Sequence, residues 1–240
     1  MTRLDVLVAQ SGFAESRERA QALIIAGKVR VAGETVRRPD QAVADGTAIS
    51  VESDPSYASR GALKLGPALD RFGVDPSGRV CADIGASTGG FTDILLRRGA
   101  KKVYALDVGR GLLHWRLRQD PRVVVIERVN ARDMETFPEP VSLVVIDVSF
   151  IGLEKVLPAI SRAAPGAEIV ALFKPQFQVE RGSVGKGGIV RDEAAVETAL
   201  GSFRRWCAGN GFGVLGEAAS ELHGADGNRE IFVHLEPLAR

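Results

Sequence analysis

From residue 80 onward, short, continuously apolar runs alternate with amphipathic stretches. The runs are Val80 to Ile84, Lys102 to Leu106, Val123 to Ile126, Leu143 to Asp147 and Glu168 to Phe173. Runs of that kind are what strands covered on both faces require. The stretches between them predict helices starting near Gly90, over Leu153 to Ala163, and over Glu193 to Gly209 before the Asn210-Gly211 stop. A further helix is expected to open after Tyr57 and to run to about Phe72, and Phe212–Leu215 with Glu230–Leu235 read as a closing antiparallel pair. Strands alternating with helices predict an α/β domain built on a parallel sheet. The first 54 residues are patterned differently. Leu4, Val6, Leu7 and Val8 suggest a short helix stopping at Ser11-Gly12. Ser16 is a good N-cap for a second, with Ala20, Leu23 and Ile24 on its apolar face and Gly27 past its end. Val29, Val31, the Ala32-Gly33 turn, Val36, Ile49 and Val51 then suggest short strands. The expected organisation is a small α+β module over residues 1–54, a linker over 55–60 around Asp54-Pro55-Ser56, and an α/β domain over 61–240.

Composition narrows the class. The chain has 240 residues, of which 45% are hydrophobic and 25% charged, as in soluble globular proteins. No apolar run approaches the ~18 residues of a membrane span, and the opening residues lack a signal-peptide pattern. Cys81 and Cys207 lie far apart without metal spacing, and His114, His223 and His234 are scattered, so free thiols in a reducing cytoplasm and no metal are expected. The net charge of +1 is uneven: residues 60–118 hold eleven Arg and Lys against five acids. That excess suits a polyanionic partner, with about half of it expected on solvated helix faces. Residues 1–54 hold seven basic residues against eight acids, so any phosphate binding there relies on local clustering.

The stretch Val80-Cys-Ala-Asp-Ile-Gly-Ala-Ser-Thr-Gly-Gly-Phe-Thr-Asp93 joins strand to helix through a glycine turn. Such a turn lets the backbone take positive φ and aims helix N–H groups at a ligand. The spacing is neither that of the dinucleotide motif nor that of a P-loop. Asp83 precedes the turn, and Asp107 ends the next strand, where an acid normally accepts ribose hydroxyls. The pair resembles the S-adenosylmethionine site of Rossmann-like methyltransferases. A different nucleotide ligand, or a turn that merely joins strand to helix, are the competing readings. The resemblance implies cofactor contacts from Asp83, Gly85, Ser87, Gly89, Gly90, Phe91, Asp107, Val108, Asn130 and Asp147. The adenine contact stays open among Asn130, Arg132 and Asp133.

Lys64 in S-R-G-A-L-K-L, Asp147 in V-I-D-V-S-F, Lys174 in F-K-P-Q-F and Glu230 in N-R-E-I-F resemble the Lys-Asp-Lys-Glu tetrad of FtsJ-type ribose 2′-O-methyltransferases. Residues 1–54, through S-R-E-R-A-Q-A-L-I, G-K-V-R-V-A-G and D-G-T-A-I-S-V, resemble the S4 RNA-binding domain. Together the chain is similar to the TlyA family, often labelled hemolysin A. The resemblance implies methylation of a ribose, typically of cytidine, in the RNA of intact ribosomal subunits. It also implies RNA contacts from Arg3, Arg17, Arg19, Lys28, Arg30 and Arg60. The chemistry suits these residue types. A ribose hydroxyl must lose its proton as it attacks, and a neutral lysine can take it. Lys174 is assigned that role, Lys64 the orientation of the hydroxyl, and Asp147 and Glu230 the positioning of both amines. The glycine-rich segment from Gln176 to Asp192 has no periodicity and is a candidate lid. The rival functions are a membrane-acting hemolysin and an RNA-binding protein with a decayed catalytic domain.

Overall fold

The computed structural model describes residues 2–11, 13–14, 16–44, 46–51, 57–59, 61–179, 184–224 and 227–238. The chain divides into two compact units, the first of residues 1–56 with 114–116 and the second of residues 57–113 and 117–240.

The first unit holds β1 (Thr2–Arg3), α1 (Leu4–Gln10), α2 (Arg17–Ile25), β2 (Val29–Val31), β3 (Glu34–Val36), β4 (Ala42–Val43) and β5 (Ile49–Val51). β2 lies antiparallel between β3 and β5, and β1 pairs with β4. The helices bury Leu4, Val8, Ala20 and Ile24 against Val29 and Val43, so the apolar face read from the sequence is the one that closes this small core.

Beyond residue 57 the elements are α3 (Ala62–Phe72), β6 (Val80–Ile84), α4 (Gly90–Arg97), β7 (Lys102–Asp107), a short α5 (Trp115–Arg118), β8 (Val123–Glu127), β9 (Leu143–Ile146), α6 (Leu157–Ala163), β10 (Glu168–Phe173), α7 (Glu193–Gly209), β11 (Phe212–Ala219) and β12 (Ile231–Pro237). They build a seven-stranded sheet of order β11-β12-β10-β9-β6-β7-β8. Five neighbouring strands, from β10 to the edge strand β8, are parallel; β12 runs antiparallel to β10, and β11 to β12. Alternate residues go to opposite faces. Ala82, Ile84, Val144, Ile146, Ala171 and Phe173 enter one core, while Cys81, Leu143, Val145, Val170 and Leu172 enter the other. From β6 the chain builds outward through β7 and β8, then returns to place β9 on β6's other side. The crevice beyond the carboxyl ends of β6 and β9 is therefore the switch point at which such sheets bind ligands.

Three details differ from the sequence reading. Leu153 to Ala163 is two elements: a 3-10 turn at Leu153–Lys155, then α6. Pro158 sits in the first turn of α6, where its ring would clash with the carbonyl four residues earlier in a continuous helix. β11 continues past Leu215 to Ala219 through a bulge between Val214 and Gly216. Gly-Glu-Ala-Ala carries no alternation, and the ladder to β12 holds it extended. Residues 57–59, expected in the linker, belong to the second unit. Arg97 lies 4.5 Å over the Tyr57 ring, and the Ala58 N–H donates to Asp93 at 2.7 Å. The rest of the expected linker, and Arg60 with it, lies outside the described residues.

Candidate active site

The crevice is floored by Asp83 at the end of β6. Its carboxylate is fully buried, and Thr92 Oγ1 donates to Oδ2 at 2.6 Å. The other oxygen, Oδ1, is buried with no hydrogen-bond partner among the described residues. Burial pushes the carboxyl up to about 7, against the Thr92 hydrogen bond and with help from Asp147 and Asp107. Asp107, at the end of β7, accepts the Ser87 N–H at 2.8 Å and the Gly109 N–H at 2.7 Å. It thereby stitches the glycine turn to the neighbouring strand, and Ser87 takes φ 48° there. The glycines leave room mainly for protein. A Cβ on Gly85 would lie 2.3 Å from the Asp147 carbonyl oxygen, and one on Gly89 2.2 Å from Leu117 Cδ1.

Two adjoining clefts open here. The first, of about 360 Å³, is lined by Ser59, Gly61, Lys64, Asp83, Thr88, Gly90, Phe91 and His223. The second, of about 620 Å³, is lined by Leu106, Asp107, Val108, Leu112, Val129, Asn130, Arg132, Phe150, Ile151 and Lys155. Gly85, Ser87 and Asp147 belong to both. Gly89 lines neither; its requirement for glycine comes from Leu113 and Leu117.

One member of each of two lysine–carboxylate pairs lines the first cleft, Lys64 and Asp147, while their partners Glu230 and Lys174 line neither cleft. Lys64 of α3 reaches Glu230, just before β12, at 2.6 Å, with side chains 13% and 3% exposed. Lys174, just after β10, reaches Asp147, just after β9, at 2.5 Å, and donates to Ser149 Oγ at 3.0 Å. The register that sets Phe173 opposite Ile231 brings Lys174 and Glu230 to the same end of adjacent strands. The sequence reading had both carboxylates positioning both amines. In the structure each amine has its own, because the two lysines arrive from different elements.

An FtsJ-like methyltransferase profile matches residues 57–236, the unit that contains both clefts. The chain belongs to the FtsJ-like methyltransferase family. An S4 domain profile matches residues 2–49. A curated relative from Mycobacterium tuberculosis, the 16S/23S rRNA (cytidine-2′-O)-methyltransferase TlyA, is 48% identical over 97% of this chain and 89% of its own length. Hemolysin A of Brachyspira hyodysenteriae is 44% identical over 97% of this chain and 98% of its own. A solved structure from Streptococcus thermophilus that carries the hemolysin name is 42% identical, with TM-score 0.74 over 99% of this chain and 88% of its own.

Within this FtsJ-like unit the remaining expected residues are distributed unevenly. Asn130 and Arg132 line the second cleft and Asp133 does not; Asn130 Oδ1 accepts the Arg132 N–H at 3.1 Å and so caps the 3-10 turn Ala131–Asp133. Val108 is exposed at the cleft rim. Phe91 is buried, its ring 6.0 Å from that of Phe232, so it serves the core as well as the cleft. In the S4 unit, Arg3 and Arg17 both pair with Asp5, and Arg30 is exposed on β2. The Arg19 side chain lies outside the described residues.

Four residues at the site escaped the sequence reading. His223, one of three scattered histidines in the sequence, lines the first cleft. Ser149 holds Lys174. Phe150 is 91% exposed at φ 63°, 5.2 Å from the Phe177 ring, and a bulky residue in that conformation leaves no trace in sequence. Asn228 is buried: its Oδ1 accepts the Val190 N–H and its Nδ2 donates to the Gly188 carbonyl, both at 2.9 Å. The described end of the candidate lid is thus anchored two residues before Glu230. Cys81 and Cys207 are buried free thiols that burial pushes up to about 12, which makes them inert.

The basic excess of residues 60–118 largely disappears in three dimensions. Lys64, Arg79, Lys102 and Arg118 pair with Glu230, Glu168, Glu139 and Glu127, all from later in the chain. Arg97 and Arg98 pair with Asp93 and Asp70 within the segment.

Proposed function

We propose that the chain transfers the methyl group of S-adenosylmethionine to the 2′-hydroxyl of a cytidine ribose in ribosomal RNA, with the S4 unit engaging the RNA of the ribosomal subunit. The observation that carries this reading is the placing of two partly buried lysine–carboxylate pairs beside a buried carboxylate with one unmatched oxygen. The cofactor's amino group is a cation, and Asp83 Oδ1 is an acceptor without a donor. Asp107 stands where a ribose would lie, and Leu106, Leu112, Val129 and Ile151 offer an apolar wall to an adenine beside Asn130 and Arg132. Bound there, S-adenosylmethionine supplies a methyl group activated by the adjoining sulfonium. The residues of the chain do the rest. Lys64 orients the attacking hydroxyl and is itself held by Glu230. Lys174 takes the hydroxyl proton, and Asp147 holds the ammonium that results. The placement of the pairs contributes through orientation as much as through proton transfer.

The test is calorimetry with S-adenosylmethionine, followed by a tritiated-methyl assay on purified ribosomal subunits with mapping of the modified sugar. Cofactor binding and label on a cytidine 2′-oxygen are expected. Asp107→Ala should weaken cofactor binding by about 1–3 kcal/mol, as for loss of a charged acceptor. Cofactor binding without label on any subunit would end the substrate assignment. The hemolysin names of two relatives pose membrane action as the rival. Among the described residues no helix is long and apolar enough to cross a bilayer, and no observation favours that reading.

A further inference from the structure

In the S4 unit a single buried acid gathers side chains from two other elements. Asp5 is fully buried in the first turn of α1. Its Oδ1 accepts Arg3 Nε at 3.1 Å, and its Oδ2 accepts Arg3 Nη2 at 3.0 Å, Arg17 Nε at 2.9 Å and Gln21 Nε2 at 2.8 Å. A buried carboxylate needs partners, but one bidentate arginine satisfies most of that need. Here two arginines from β1 and α2 converge on it, two cations to one buried acid, with Asp40 further off and also in the field of Arg3.

We propose that Asp5 is a positioning residue that builds Arg3 and Arg17 into a rigid two-guanidinium clamp for an RNA backbone phosphate. This rests on the reading of the S4 unit as RNA-binding. A guanidinium carries five N–H donors. Arg3 commits two to Asp5 and Arg17 commits one, leaving donors on both for an anion. Both side chains remain about half exposed, at 47% and 52%. Arg3 Nη2 and Arg17 Nε lie within about 6 Å of each other, since each is about 3 Å from the same oxygen. Two like charges stay that close because the acid lies between them. Freely rotating arginines would lose rotamer freedom on meeting RNA, whereas these are already ordered. The pairing with Arg3, above all, holds the Asp5 carboxyl far below the usual carboxylate range, so the clamp stays assembled throughout the physiological pH range.

The test has opposite signs for the two explanations. Asp5→Asn keeps the shape and adds a positive charge to the unit. If charge alone governs binding, affinity for RNA rises. If Asp5 positions the arginines, affinity falls about tenfold, the equivalent of re-ordering two long side chains. The slope of log affinity against log salt then becomes shallower by about one phosphate contact. The experiment uses the full chain, a fluorescein-labelled RNA hairpin and purified ribosomal subunits, with cofactor affinity as the control for an intact catalytic unit. Arg3→Lys keeps both the charge and Asp5 but loses the fork geometry. It is expected to weaken binding several-fold, and it decides the matter if Asp5→Asn does not fold. Arg3→Gln and Arg17→Gln test the underlying reading. If neither weakens RNA binding, these arginines are not RNA contacts and that reading fails. If they do, while Asp5→Asn binds as well as or better than wild type, or Arg3→Lys binds unchanged, the positioning role of Asp5 is wrong.

Discussion

The two units use buried charge in opposite ways. In the catalytic unit each partly buried lysine of the site has its own carboxylate, Lys64 with Glu230 and Lys174 with Asp147, and the arginines nearby are matched as well. In the S4 unit one buried carboxylate serves two arginines and a glutamine. One-to-one pairing fixes where each amine sits and leaves each pair without a net charge. Sharing one acid between two cations leaves a surplus directed at solvent. The first arrangement suits a hydroxyl that must be oriented; the second suits an anion that must be captured. Local charge counts distinguish neither, since the unit with the basic excess along the chain is the one where pairing cancels it.

The comparison can be broken most sharply at Lys174. Arginine there keeps the ion pair but releases no proton usefully. Lys174→Arg should therefore lose about 10²–10⁴-fold in single-turnover rate, the usual contribution of a positioned base, with cofactor affinity unchanged. An active arginine variant would make the Lys174–Asp147 pair purely orienting.

Removing the other half of the comparison is the next largest change. A chain starting at Tyr57 retains the Arg97 and Asp93 contacts of residues 57 and 58 and should fold and bind cofactor. Its methylation of ribosomal subunits below saturation should fall roughly 100-fold, as when one of two linked binding modules is lost. Full activity would mean that the S4 unit does not deliver substrate.

Asp83 sharpens the comparison from a third side, as a buried acid without a cation of its own. Burial pushes its carboxyl up to about 7 in the folded chain from an ordinary 3.8. Between those values the folded state holds more protons than the unfolded one. Stability of the cofactor-free protein therefore falls as pH rises from about 4 through 7, by up to about 4 kcal/mol at 1.36 kcal/mol per unit. Asp83→Asn should flatten that fall in thermal melts. It should also weaken S-adenosylmethionine binding by roughly 10–100-fold, while wild-type affinity climbs through pH 7. A wild-type affinity independent of pH would remove Asp83 from the amino-group site.

The smallest effect is expected at Arg98, which belongs to the basic segment but pairs with a largely exposed Asp70. Arg98→Gln should cost under about 1 kcal/mol in a denaturant titration and leave RNA affinity unchanged. A marked loss of RNA binding would restore the basic segment as an RNA surface.

Most of the fold was legible because its signals are local. Five apolar runs, the glycine turn and the Asn-Gly stop each lie within a few residues, and period and turn chemistry report on such windows. The four catalytic candidates were legible as motif positions. The pairing of lysines with carboxylates was not legible, because Lys64 and Glu230 are 166 residues apart and meet only when β12 inserts beside β10. The arginines of the S4 unit were identified by resemblance, but the acid that organises them was not, since Asp5 shows its burial only once α1 and α2 pack together.

The sequence by itself determined which segments become strands and helices, that the chain has two units, and which residue types the chemistry calls on. These follow from side-chain period, backbone permissiveness and functional-group reactivity, all carried by each short segment. Tertiary structure alone decided which lysine meets which carboxylate, that Asp83 keeps an unmatched oxygen, that Gly85 and Gly89 make room for Asp147 and Leu117, and that Phe150 stands exposed at positive φ. Each of these depends on atoms distant in the chain coming within a few ångströms, where desolvation and hydrogen-bond geometry take over from pattern.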